Sequence, residues 1–128
     1  MSLNVIVISG NLTKDPEIKD VNDSQVVNVT IANNRNYTKA SGDTVKEVTF
    51  VDCEAWGTVA EAIDRKARKG DTLIVTGRLK QDQWETDGQK RSKLKIAIEK
   101  FQVYKKLSDA EKDRLAQENR DGTTPPSE

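Results

Sequence analysis

The chain of 128 residues carries 21 basic and 21 acidic side chains, so its formal charge is zero and its length fits one domain. It has no histidine and one cysteine, Cys53. That removes an imidazole base, a histidine-based triad, a histidine or multi-cysteine metal site and an intrachain disulfide, and it suits a reducing compartment. The neutral total hides a division: residues 1–64 hold 5 basic and 10 acidic side chains, whereas residues 65–100 hold 11 and 5, enough for a basic surface in the second half.

Apolar residues make up 34% of the chain, below the roughly 45–50% usual for globular proteins. A small core follows, helped by a polar tail or by burial in an oligomer. No charged leader precedes a long apolar stretch, and no window approaches a membrane span, so a soluble cytoplasmic protein is expected, with no membrane association and no cofactor.

Leu3 to Ser9 reads as a buried strand ending at Gly10-Asn11, and Asp15-Pro16 punctuates the following loop. Gln25 to Asn34 alternates Val27, Val29 and Ile31 with polar residues, the pattern of a half-buried strand, and the polar stretch Asn33 to Thr44 is expected to be a long hairpin loop. Val45 to Trp56 has period two, with Val51, Cys53 and Ala55 on the core face and Phe50, Asp52, Glu54 and Trp56 on the other. Thr58 to Arg68 switches to helical spacing through Val59, Ala60, Ile63 and Ala67, and Lys69-Gly70 supplies the stop. Thr72 to Lys80 and Leu94 to Tyr104 are further strands, joined by a polar segment that holds Trp84 and turns at Asp87-Gly88. Residues 1–106 therefore form the domain. Residues 107–128 form a polar tail: a short helix over Leu107 to Glu118, with Ser108 and Glu111 as a capping box, then a disordered end from Asn119.

Three strands, a helix and two strands make an all-β domain with one short helix, in the order of the five-stranded Greek-key barrel called the OB-fold, whose long loops hold oligonucleotides. Six pieces then bring a family into view: Asn11-Leu12 with Asp15-Pro16-Glu17, Trp56-Gly57 with Ala60-Glu61, Lys69-Gly70, Gly77-Arg78-Leu79, Trp84, and Asp87-Gly88-Gln89. In this order and spacing, from about Asn4 to Tyr104, they resemble the bacterial and phage single-stranded DNA-binding proteins. The resemblance implies an OB-fold that coats and protects single-stranded DNA without sequence specificity. It also implies a homotetramer that acts in DNA replication, recombination and repair, nucleoid-associated or phage-encoded.

A single-strand binder needs aromatic faces for unpaired bases and cations for phosphates, because stacking is worth about 1–3 kcal/mol per base whatever its identity. Of six aromatic residues, Phe50, Trp56, Trp84 and Tyr37 fall where the resembled family keeps its stacking residues. A strand aromatic is more often core, but Val51, Cys53 and Ala55 already claim the core side of Phe50 and Trp56, and Trp84 has no apolar neighbour in sequence. Tyr37 is open to either stacking or loop packing, and Phe101 goes to the core. The candidate phosphate contacts are Arg35, Lys39, Lys46, Arg78, Lys80, Lys90, Arg91 and Lys93, with Arg35 and Lys80 the strongest; any of these can equally be a solvated surface group.

The chain departs from the family in two respects. Asp52 and Glu54 place two negative charges between Phe50 and Trp56, where they would repel phosphate unless paired with Lys or Arg. The last residues, Thr123 to Glu128, lack the acidic, apolar-closed tip by which the family docks replication and repair proteins, so recruitment by that route is in doubt. An OB-fold RNA binder or primosome-type accessory protein is the alternative, a peptide-binding barrel comes third, and an enzyme is a distant fourth, since no nucleophile and base pair can be assembled.

Overall fold

A computed structural model of the protein describes residues 1–105 and 109–120. The elements are β1 (Ile6–Leu12), β2 (Glu17–Val21), β3 (Ser24–Thr38), β4 (Thr44–Trp56), α1 (Gly57–Lys66), β5 (Thr72–Thr86), β6 (Gln89–Tyr104) and α2 (Asp109–Arg120). The sheet runs β1-β5-β6-β4-β3-β2, and β1 pairs a second time with β3 through Asn11↔Ala32 and Leu12↔Ile31. That pairing closes a five-stranded ring, β1-β5-β6-β4-β3, with β2 outside it on the edge of β3. The pairings are antiparallel except β4 with β6, which meet in parallel at Cys53↔Ile96 and Glu54↔Ala97.

Alternation builds the core. Val27, Val29 and Ile31 of β3, Cys53 and Ala55 of β4, Leu73 and Val75 of β5, and Ile96 and Ile98 of β6 point inward and are buried, and Phe101 and Val103 pack partly buried against them. The α1 residues Ala60 and Ile63, with Ala67 just past the helix, complete the same cluster, so the helical spacing in the sequence marks a face packed on the barrel. The chain then turns through Gly70, with φ +91°, into the buried Asp71. The Arg68 amide and the Lys105 ammonium both donate to the Asp71 carboxylate, at 2.9 and 3.0 Å. Two strand glycines answer to close approach: a Cβ at Gly10 would sit 2.7 Å from the Ala32 carbonyl oxygen, and one at Gly77 would sit 2.0 Å from that of Ala97, beside a shift in the β5/β6 register.

Several boundaries differ from the sequence expectations. The first strand lies over Ile6–Leu12, three residues later than expected. The segment after Asp15-Pro16 pairs with β3 as β2, joined to it by Asn22-Asp23, both at positive φ (49° and 64°) as a two-residue primed hairpin turn demands. Asn33 to Thr44 is not a long loop: β3 continues to Thr38, β4 starts at Thr44, and residues 39–43 make the turn, closed by the Lys39 amide donating to the Asp43 carbonyl at 2.8 Å. Alternating hydrophobicity vanishes there because the hairpin extends past the barrel and has no core side, so polar residues occupy both faces. The β5 and β6 strands likewise run on to a two-residue turn at Asp87-Gly88, with φ 52° and 77°. In the tail, α2 carries the helix on through Asn119 and Arg120, where disorder was expected. The expected cap at Ser108 and the expected disorder of residues 121–128 lie outside the described residues.

Candidate nucleic-acid interface

The odd–even alternation that sends Cys53 and Ala55 inward sends Phe50, Asp52, Glu54 and Trp56 to the outer side of β4. Phe50 is 67% exposed and Trp56 42%, values that exclude a core role for either. Cross-strand register carries the same face onto neighbouring strands: Asn28 and Thr30 of β3 sit opposite Glu54 and Asp52, and on β5 and β6 Lys80 faces Lys95, Asp82 faces Lys93, and Trp84 faces Arg91. Trp84, 44% exposed, thus projects from the same outer wall as the β4 aromatics. It borders two hollows: one of about 410 Å³ over Asn28, Thr30, Asp52, Asp82 and Lys93, and an open one of about 560 Å³ toward Gln81, Lys90 and Arg91.

The two carboxylates between the aromatics are not bare. The Lys93 ammonium donates to Asp52 Oδ2 at 2.5 Å and the Thr30 hydroxyl to Oδ1 at 2.7 Å, and these partners, Lys93 above all, hold the Asp52 carboxyl below its ordinary range. Glu54 is buried, which alone would raise its pKa. Donation from Lys95, the Trp56 indole and Lys80 outweighs that burial and brings it below the usual glutamate value. The Trp56 Nε1–H bond to Glu54 Oε1 is 2.7 Å and Lys80 Nζ lies 3.2 Å from the same oxygen, so the indole is pinned by its edge and its ring is left open to solvent. Lys95 bridges Glu54 and Asp82; burial works against its charge, but the two carboxylates prevail and its pKa is raised. Beneath this face Cys53 is buried, and burial first, then the Asp52 charge, push its thiol up to about 12.

Phe50, Trp56 and Trp84 are therefore brought to one face, together with Lys80 and Lys93. Arg78 is on β5 beside them and pairs with Glu99 at 3.9 Å. Lys90 and Arg91 stand near the tip of the β5–β6 hairpin, opposite Glu85 and Trp84. Arg35 and Tyr37 belong to the other set: they share the alternation of Ile31 and lie on the opposite side of the β3–β4 hairpin from Phe50, with the Arg35 guanidinium 5.1 Å from the Tyr37 ring centre. Lys46 alternates with Phe50, and Lys39 opens the turn. Sequence reasoning missed Asn28, Thr30, Asp82 and Lys95 in this surface. The signal was available for Asn28 and Thr30, which alternate with the core residues Val27, Val29 and Ile31.

A closed five-stranded barrel with a helix on its core and an aromatic outer wall is an OB-fold. Residues 3–104 match the single-strand binding protein family, and the chain belongs to that family. A single-stranded DNA-binding protein of Aquifex aeolicus is 37% identical over 110 residues, which cover 85% of this chain and 75% of that protein. One from Enterococcus faecalis is 36% identical over 85% of this chain but only 58% of its own length, so the chain spans well under two thirds of some relatives. Among solved structures, a deletion mutant of the single-stranded DNA-binding protein from Thermus aquaticus superposes with a TM-score of 0.71 at 26% identity, covering 80% of this chain and 51% of that one. A Plasmodium falciparum SSB complex with single-stranded DNA also reaches 0.71, at 23% identity over 81% of this chain and 95% of that one, and it supports the fold.

Proposed function

We propose that the protein binds single-stranded DNA without catalysis, coating and protecting it during replication, recombination and repair. The observation that carries this reading is the outer wall of β4 and β5, where Phe50, Trp56 and Trp84 stand exposed beside cationic side chains. Bases stack on those three rings, with Tyr37 adding a fourth on the opposite side of the β3–β4 hairpin from Phe50, and stacking tolerates any base because every base has a π face. Arg35, Lys39, Lys46, Lys90 and Arg91 take the phosphates. Arg78, Lys80 and Lys93 would join them only where a phosphate displaces Glu99, Glu54 with Asp82, or Asp52.

Assembly into a homotetramer is part of this reading, supported by Leu3 and Val5 just before β1 and Val7 within it, which expose apolar side chains that a second copy would cover. No helix among the described residues is long and apolar enough to cross a membrane, in keeping with work at the nucleoid. Titration with unstructured DNA oligonucleotides should quench the tryptophan emission, and RNA of equal length should compete poorly. Unchanged emission with DNA, or equal competition by RNA, would refute the assignment.

A further inference from the structure

Of the three exposed rings on the outer wall, one is tied down. The Trp56 indole donates from Nε1 to Glu54 Oε1 at 2.7 Å, whereas Phe50 has no polar handle and the Trp84 indole makes no hydrogen bond among the described residues. The acceptor is itself held in place. Glu54 lies two residues before Trp56 on the same outer face of β4, yet its side chain is only 7% exposed. Lys80 of β5 donates to its Oε1 at 3.2 Å, Lys95 of β6 donates to its Oε2, and Lys95 is fixed in turn by Asp82. Two neighbouring strands thus hold the carboxylate, and the carboxylate holds the indole.

Packing alone does not call for this arrangement. In general, a buried ion network folds a protein no more securely than packed apolar side chains of the same volume. What it supplies here is a fixed acceptor that is charged, and such acceptors make the stronger hydrogen bonds. An untethered indole on a strand surface moves among staggered side-chain orientations, and a base stacking on it has to freeze one of them. Holding that orientation beforehand removes the cost. The tether also leaves stacking surface free, since Trp56 remains 42% exposed while bonded. Resting on the single-strand reading above, we infer that Glu54 is a positioning residue: by gripping the N–H edge of Trp56, it sets the indole as a stacking surface before a base arrives. Trp84, with no such tether, is ordered by the base itself.

Two readouts on the full chain test this. In the free protein, the indole Nε1–H signals of the two tryptophans are followed in a ¹H–¹⁵N spectrum, with Trp56→Phe identifying which is which. The Trp56 signal should exchange with D2O more slowly than that of Trp84 and show the higher heteronuclear NOE. A Trp56 indole as mobile and as quick to exchange as that of Trp84 would overturn the inference. The second readout is a double-variant cycle on a dye-labelled dT oligonucleotide, followed by anisotropy so that losing a tryptophan does not alter the signal. Glu54→Leu frees Lys80 and Lys95 for phosphate whether or not Trp56→Phe is present, so that gain cancels between the two backgrounds and the tether remains. Compared with its effect in Trp56→Phe, Glu54→Leu should cost the protein that keeps Trp56 about two- to tenfold in affinity, the range for freezing one large side chain on binding. Circular dichroism melts check that each variant folds; should Glu54→Leu fail to fold, the free-protein readout decides alone. Equal effects in the two backgrounds would overturn the inference while leaving single-strand binding intact. Failure of the unaltered protein to bind the oligonucleotide would instead remove the single-strand reading, and this role with it.

Discussion

The barrel and the two hairpins that extend from it are made of the same strands, yet they follow opposite rules. Within the barrel, β3 and β4 alternate buried Val29, Ile31, Cys53 and Ala55 with outward residues; beyond it the same strands, from Asn34 to Thr38 and from Thr44 to Phe50, have no buried residue on either face. The closed ring encloses the buried cluster, while the hairpins are held mainly by backbone pairing and keep most of their side chains exposed. The buried cluster belongs to the ring and the exposed Phe50 and Trp84 of the proposed site to the hairpins, so substitutions in the two parts should separate stability from binding.

The sharpest break belongs in the barrel. Leu73→Ala, at a fully buried position, should lower folding stability by about 2–5 kcal/mol in a denaturant melt while leaving the affinity of the remaining folded protein nearly unchanged. Trp84→Ala should do the reverse, weakening single-strand affinity by about 1–3 kcal/mol with little change in the melt, since the indole is almost half exposed; a large loss of stability instead would make Trp84 a packing residue. Acid sharpens the comparison along the outer wall. Asp52 and Glu54 have folded pKa values below their ordinary 3.8 and 4.5, so the stability they add is complete above those values and is lost as pH falls through the depressed ones. Asp52→Asn, Glu54→Gln should therefore unfold at a higher pH on acidification than the unaltered protein, and a midpoint shifted to lower pH would contradict that sign. The smallest effect lies on the hairpin: Arg35→Gln should reduce the slope of log affinity against log salt by about 0.7, the value of one phosphate on a single strand, with the melt unaltered.

The same contrast explains what could be read from the sequence. Val27, Val29 and Ile31, or Ala60 and Ile63, announce their elements because each faces a core, and the exposure of Phe50, Trp56 and Trp84 follows from which neighbours are apolar. The hairpin strands from Asn33 to Thr38 are silent because a strand wet on both faces has no hydrophobic period. β2 escaped notice because its turn, Asn22-Asp23, lacks the glycine that usually marks a primed turn. Asp52 and Glu54 looked like repulsive charges because their lysine partners come from β5 and β6, the Lys80 and Lys95 contacts lying 26 and 41 residues from Glu54. Only the fold brings those charges together.

The buried thiol under the aromatic wall has a practical consequence. With Cys53 pushed up to about 12 and enclosed by the barrel, almost none of it is thiolate at neutral pH, so a thiol-reactive dye should label the chain only as fast as the barrel opens. The native cysteine is then a built-in clock for barrel opening. A cysteine introduced at Ser41, in the exposed hairpin turn, should meanwhile take up a dye at once and alone, letting the motion of that hairpin on DNA be followed without altering any residue of the core.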